Sequence, residues 1–429
     1  MYKRQVLKSL SVENFFSFAD GICFTTENDL GKKEFLENTF EQNDTRFNKV
    51  SFMYGSNGSG KTNFCKIMLE LKRIIDWSPL SAMNDDKLLT MPGIDRYKAP
   101  VTNFAFDKKY SNSPTSFSIE IVIGKVTYNY SFSIKCNEII SESLTKKYRR
   151  KETILERSSP LYKDIVLKSE LKDFESTKQV VKKDSLCLPI AAMLNNKLAI
   201  KIISAIKDIE VVNMTSARIN PPEVKKAFSQ ERIARYVEVI RRADPTIKDI
   251  NVSFEEKEIG RQKVISDDFE NREIISKMTK VGIGTKHAIY DNGIESDFSE
   301  KDLFAMESLG TIKLFTVLPY LYSILESGGI IFIDELENGL HLSLAKELIG
   351  LFTNEKTNPN HAQLICTSHQ PLLLDGDYRR DQVWITEKDA YGKSTLHRLS
   401  EKSTPRAKIN LTSKILEGAF GCNPDKFFA

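Results

Sequence analysis

The sequence predicts an α/β protein with three parts: a β-rich N-terminal lobe, a parallel-sheet core built around a phosphate loop, and a compact helical insertion dividing the core's two halves. Three observations predict it. The apolar run Val50–Tyr54 stops at a glycine-rich loop and is followed by a helix-like segment. The run Ile330–Ile333 ends in two acids, Asp334 and Glu335, as a buried parallel strand does when its carboxyl end faces a ligand. Between them, the pattern over 149–270 is mainly helical. The expected domains are 1–148, the first half of the core with its β-rich lobe; 149–270, the insertion; and 271–429, the second half.

In chain order, "VLKSLSVENF" and "GICFTT" read as short strands, and "KVSFMYG" as the strand entering the loop. From Thr115, "TSFSIEIVIGKVTYNYSFSI" alternates apolar and polar residues on both sides of Gly124-Lys125, which predicts a hairpin with a two-residue turn. After the basic run "KKYRRK", the segments "LCLPIAAMLNNKLAIKIISAIKDI" and "PPEVKKAFSQERIARYVEVIRRAD" carry apolar residues at three-to-four spacing. The second starts after Pro221-Pro222. Prolines interrupt this region and no heptads are sustained, so a compact insertion is expected instead of coiled-coil arms. From about Val281, strand and helix signals alternate again.

The chain has 62 basic and 58 acidic residues among 429, a net charge of +4. That balance neither implies nor excludes nucleic acid, because a local patch decides. None of the six cysteines falls in a C-x-x-C pair, and several lie in apolar runs such as "QLICTSH". They are read as buried free thiols of a reducing compartment. The histidines form no set with metal-ligand spacing, so no zinc site is expected. No stretch approaches the roughly 20 apolar residues of a membrane span, and the N-terminus lacks the apolar core of a signal peptide. A cytoplasmic protein without a membrane partner is expected.

Gly55, Ser56, Asn57, Gly58, Ser59, Gly60, Lys61 and Thr62 match G-x-x-x-x-G-K-[ST] between strand and helix. Glycines there let backbone N–H groups turn toward phosphate oxygens, and the helix start adds its positive dipole end. Lys61 is expected on the β- and γ-phosphates and Thr62 on Mg²⁺. Asp334 fits the acid that holds the metal, and Glu335 the group that orients or deprotonates the attacking water. A third run, "AQLICTSH", ends at Thr367-Ser368-His369. His369 is a candidate for sensing or stabilising the γ-phosphate. ATP and Mg²⁺ are the expected cofactors, with Lys61, Glu335 and His369 the expected catalytic set.

These segments, together with "LSVENFFSF", "ESLGTIKL", "VWITEKDAYGKSTLHRLS" and "LEGAFGCNP", resemble an ABC-class ATPase of the RecF/SMC branch, in the form called AAA_15 or AAA_21. The nearest relatives by this resemblance are the RloA/AbiLi-like ATPases of bacterial anti-phage loci. The resemblance implies an ABC-type ATPase head whose two nucleotides are sandwiched between two copies. Ser308 and Gly310 would then face the γ-phosphate of the other copy in trans, with Thr311 as a cap or second donor. A homodimer or higher homo-oligomer follows. Two departures stand out. Leu309 and Ile312 occupy positions where other branches carry small or polar residues. The family's metal-touching glutamine, expected after the helix that follows the phosphate loop, is absent from residues 78–107. Phe16 or Phe18, in "NFFSF", would stack on the adenine or fill core.

The expected function is an ATP-binding and ATP-hydrolysing switch that controls a separate effector, such as a nuclease or toxin, in anti-phage defence. Only 429 − 369 = 60 residues follow His369, too few for an effector domain beside the family's tail. The alternative is a RecF-like DNA-binding ATPase of DNA repair. In it, Lys146–Lys151, Lys182-Lys183 and Arg241-Arg242 would contact phosphates, although such charge runs also serve as solvated faces. A transporter subunit is opposed by the 334 − 61 = 273 residues between Lys61 and Asp334.

Overall fold

The structure is a computed structural model that describes residues 4–29, 34–83, 100–216, 230–265 and 271–401, with Val224 and Thr412. The chain divides into two compact units. The first comprises 1–213, 324–337 and 345–429, and the second 214–323 and 338–344.

The first unit holds two large sheets with a helix between them. One sheet is antiparallel and seven-stranded, in the order β10-β9-β8-β7-β6-β1-β2. Its strands are β1 (Gln5–Glu13), β2 (Ile22–Thr25), β6 (Thr115–Ile123), β7 (Val126–Lys135), β8 (Glu138–Lys147), β9 (Lys151–Arg157) and β10 (Ile165–Leu167). The expected hairpin is β6–β7, closed by Gly124-Lys125 with Gly124 at φ 65°. A small hairpin, β3 (Thr39–Gln42) and β4 (Thr45–Asn48), precedes the second sheet.

That second sheet has six strands: β11 (Glu210–Asn213), β15 (Ile330–Asp334), β16 (Gln363–Thr367), β5 (Val50–Gly55), β17 (Val383–Lys388) and β18 (Ser394–Arg398), in this order. All neighbours are parallel except β18 on β17. Every residue of β15 is buried, as its uninterrupted apolar run requires. Helix α1 (Lys61–Ala82) turns Phe64, Ile67, Met68, Leu71, Ile74 and Ile75 inward, the 3.6-residue periodicity of one apolar face. The Phe64 ring meets Phe24 of β2 at 5.1 Å and Phe332 of β15 at 5.9 Å. The helix thereby joins both sheets in one core, to which α2 (Cys187–Met193) and α3 (Lys197–Lys207) also contribute.

The second unit contains a three-stranded antiparallel sheet, β12 (Ile247–Ile265), β13 (Asn271–Asp291) and β14 (Ile294–Asp302). The 21 residues of β13 correspond to about 70 Å of extended chain. Helix α4 (Gln230–Ala243) and the first part of α5 (Leu309–Ser327) belong to this unit, with Tyr236 and Tyr322 rings 5.0 Å apart. The chain returns to the first unit within α5, and again within α6 (Leu342–Thr353).

Residues 149–270 therefore do not form the single, mainly helical insertion that the periodicity suggests. Helical spacing is right for α2, α3 and α4, but β9 and β10 finish the first sheet, β11 joins the second, and β12 begins a long hairpin. The reason is tertiary: "IEVVN" continues the apolar spacing of α3, and pairing with β15 makes it a strand. Pro221-Pro222 and "LEGAFGCNP" lie outside the described residues. Cys65, Cys187 and Cys366 are buried thiols, whereas Cys23 and Cys136 are exposed; Cys23 sits on edge strand β2 and Cys136 in a tight turn at φ 49°. Cys422 lies outside the described residues.

Candidate functional site

The phosphate loop leaves β5 at Gly55 and enters α1 at Lys61. Gly58 and Gly60 have φ of 75° and 116°, the region that favours glycine. Gly55 is required for a different reason: a Cβ there would lie 2.3 Å from Thr386 Oγ1 and 2.4 Å from the Thr386 carbonyl oxygen. Ser59 is buried, with its Oγ 2.7 Å from Thr386 Oγ1, while Asn57 and Gly58 face solvent. Lys61 lies along the loop, its Nζ donating to the Gly55 and Ser56 carbonyls at 2.8 and 2.9 Å. The N–H groups that open α1 have no partner within the helix, so the loop presents donors and a cation.

The acids approach from β15, two strands away from β5, with β16 between. Asp334 is 1% exposed. Its Oδ1 accepts from Thr367 Oγ1 at 2.7 Å and from Thr62 Oγ1 at 3.4 Å. Its Oδ2 accepts from Asn213 Nδ2 at 2.7 Å. The Glu335 N–H donates to Thr367 Oγ1 at 2.8 Å, and Glu335 takes φ 56°. That left-handed backbone is strained for a non-glycine residue and turns its side chain away from the run of the strand. Glu335 Oε1 lies 3.8 Å from His369 Nε2. The His369 N–H donates to Glu337 Oε1 at 2.6 Å. Burial, then the Lys61 charge, pushes the His369 imidazole below its usual range, while Glu337, Glu335 and Asp334 pull the other way.

The structure thus brings Gly55–Thr62, Asp334, Glu335 and His369 together in one unit. Ser308 and Gly310 are in the other unit. Ser308 is exposed and caps α5: its Oγ accepts from the Thr311 N–H at 3.2 Å and lies 2.9 Å from Thr311 Oγ1. Gly310 packs tightly, since a Cβ would be 2.8 Å from the Gly339 carbonyl oxygen. Phe18 is fully buried in the core, which removes it as a base-stacking residue. Phe16 is half-buried, with Lys66 Nζ 4.7 Å from its ring. His341 binds locally, its Nδ1 2.8 Å from Ser343 Oγ at the start of α6.

Sequence reasoning missed Asn213, Thr367, Thr386 and Glu337. The signal for Asn213 was a short apolar run ending in a polar residue, as in the acidic strand, but hidden behind a helix. After α1, the chain builds β6 to β10 of the seven-stranded sheet and the helices α2 and α3 before it returns to the acids' side at Asn213. Among the basic runs, Lys146 pairs with Glu170 and Glu152, Lys183 with Glu138, and Arg242 with Glu238. These pairs offset part of the positive charge offered to a phosphate backbone.

Fold and site define an AAA-type P-loop ATPase domain. The chain belongs to the AAA_21 family, described as "AAA domain, putative AbiEii toxin, Type IV TA system", which it matches over residues 50–375. Among solved structures, it is similar to the SMC head domain from Thermotoga maritima at 13% identity, over 91% of this chain and 98% of that one, with a TM-score of 0.33. It is also similar to the Pyrococcus furiosus Smc head domain with an extended coiled coil, bound to the C-terminal domain of ScpA. There the identity is 14%, the coverage 97% of this chain and 99% of that one, and the TM-score 0.40. No curated protein matches the chain. No single helix among the described residues is long and apolar enough to cross a membrane.

Proposed function

We propose that the chain binds ATP with Mg²⁺, hydrolyses it in sites completed by a second copy, and acts as a switch on a separate effector protein. The observation that carries the ATPase reading is the convergence of Lys61, Thr62, Asp334, Glu335 and His369 from three adjacent strand ends. The donors suit a magnesium nucleotide. A hydroxyl and a carboxylate, Thr62 Oγ1 and Asp334 Oδ1, stand 3.4 Å apart and are the hard oxygen ligands this ion takes. Thr62 and Asp334 would hold the metal, and the Asn213 amide, already on Asp334, stands in for the family's absent glutamine. Bound Mg²⁺ supplies neutralisation of phosphate charge.

Lys61 exchanges the Gly55 and Ser56 carbonyls for phosphate oxygens, and the loop N–H groups hold the remaining oxygens. Glu335 orients a water and takes its proton as the water oxygen attacks the γ-phosphorus and the β–γ bridging oxygen departs. His369, beside Glu335, holds the γ-phosphate in line. Ser308 and Gly310 of a second copy close the site from the far side, a role supported by the exposure of Ser308 at a helix N-terminus.

The family's description names a toxin–antitoxin system. With the resemblance to RloA/AbiLi-like ATPases, it supports a defence role beside a second protein, inside the bacterial cell. Complementation by mixing tests the site. Chains carrying Ser308→Arg or Lys61→Ala are each expected to be inactive, and their mixture to regain hydrolysis through one intact composite site. No recovery in a verified mixed dimer would leave Ser308 only as a helix cap. If the purified chain degraded nucleic acid equally with and without Glu335→Gln, the separate effector would be ruled out.

A further inference from the structure

Glu307, the residue immediately before Ser308, turns inward. Its side chain is 4% exposed. Its Oε1 accepts from Thr285 Oγ1 at 2.5 Å and lies 2.8 Å from His287 Nε2. Thr285 is fully buried, and its Oγ1 is 3.2 Å from His287 Nε2. One carboxylate oxygen thus gathers two side chains. A carboxylate so buried is costly unless it is hydrogen-bonded, so the contact fixes where this residue sits.

Thr285 and His287 are two apart on β13 and share one face of the strand. The same strand ties down the other end of the segment. Asp302 pairs with Gly284 of β13, and its carboxylate accepts from the Phe304 and Ala305 N–H groups at 2.9 and 3.1 Å. Residues 302–307 are therefore anchored at both ends to β13. Between and just beyond these anchors, Phe304, Met306 and Leu309 are 54%, 61% and 61% exposed. The turn has one held face and one open face, and Ser308 is on the exposed stretch.

We propose that Thr285, His287 and Glu307 are positioning residues that hold the Ser308–Gly310 turn in the geometry needed to meet a second copy's nucleotide, so that the placement of β13 sets the hydrolysis rate. This rests on the half-site reading of Ser308. The three contact one another within the second unit, whereas the phosphate loop belongs to the first, so their loss acts on turnover and leaves nucleotide affinity alone.

The test uses the full chain, with ATP hydrolysis and fluorescent-nucleotide binding as separate readouts. Glu307→Ala and His287→Ala are expected to lower kcat by about tenfold or more with nucleotide affinity unchanged, as expected of misplacement and not of lost binding. Glu307→Gln keeps an acceptor oxygen and restores most of kcat; Thr285→Ser likewise holds where Thr285→Val falls. Adding His287→Ala to Glu307→Ala costs no further rate, since both remove one interaction. Ser308→Arg, run in parallel, separates the two readings. If it stops hydrolysis while His287→Ala and Thr285→Val keep wild-type kcat, the positioning role is overturned and the half-site survives. If Ser308→Arg leaves hydrolysis intact, the half-site falls and the positioning role falls with it. Should Glu307→Ala not fold, the His287 and Thr285 variants decide the matter alone.

Discussion

Asn213 and Asp334 end neighbouring parallel strands in register, and the Asn213 amide donates to the Asp334 carboxylate at 2.7 Å. They are 121 residues apart in the chain. With Thr367 on the other carboxylate oxygen, Asn213 fixes the orientation of the one fully buried acid in the site. Asn213 is also the last residue of the first unit before the chain enters the second.

Asn213→Ala is therefore expected to cut hydrolysis by about 10–100-fold, the usual cost of losing a group that orients a metal-binding carboxylate. It should also raise the Mg²⁺ concentration needed for half-maximal rate. A magnesium titration of the steady-state rate checks this. Wild-type magnesium dependence would remove Asn213 from the site.

Lys61→Ala and Glu335→Gln should fail in different ways. The first removes the loop's cation and is expected to abolish nucleotide binding. The second leaves binding intact and removes the proton acceptor, so ATP should hold a dimer that size-exclusion chromatography detects. Equal hydrolysis by wild type and Glu335→Gln would sink the assignment of Glu335.

His369 carries a pH prediction. Its pKa is depressed, chiefly by burial and then by Lys61. The folded chain thus binds fewer protons there than the unfolded one. The stability this group contributes is present above the unfolded value and is lost as pH falls through the folded one. An NMR titration should place its midpoint below that of an exposed histidine. Lys61→Ala should raise the midpoint and Glu337→Gln should lower it, because Glu337 is the largest of the opposing charges. Shifts of the opposite sign would contradict the electrostatics described.

Gly55→Ala tests the loop's packing. The new methyl would meet both the side chain and the backbone of Thr386, so trimming Thr386 cannot relieve it. A loss of about 1–3 kcal/mol of stability is expected, together with weaker nucleotide binding. Thermal melting with and without ATP measures both.

Asp381→Ala tests the structural frame. Asp381 is fully buried and takes two bonds from Arg379, Nε to Oδ1 at 2.9 Å and Nη2 to Oδ2 at 2.7 Å. Its Oδ2 also accepts from the Asp29 N–H at 2.9 Å. Removing it takes the carboxylate from a guanidinium that is 4% exposed and leaves Nη1 on the neutral Glu34 carbonyl at 2.5 Å, at a cost of about 3–5 kcal/mol. Denaturant unfolding should show a markedly lower midpoint. An unchanged midpoint would mean that Arg379 finds another acceptor.

The phosphate loop, the two acids and the hairpin at Gly124-Lys125 were legible in the sequence because their chemistry is local. A glycine-rich loop, a lysine at the helix start, and period-two alternation are all written in consecutive residues. The strand that carries Asn213 was not legible. Four residues of apolar spacing behind α3 fit a helix equally well, and backbone pairing with β15 decides for a strand. Likewise "ESLG" announces a helix start, but only the folded second unit turns Glu307 inward onto Thr285 and His287 and leaves Ser308 exposed. Local sterics and periodicity determine the phosphate loop, the tight hairpin and the helices α2, α3 and α4, whereas pairing decides a strand such as β11. Which buried acid meets which distant amide or histidine depends on sheet order and on the need of a buried charge for partners, and those partners come from segments far away in the chain.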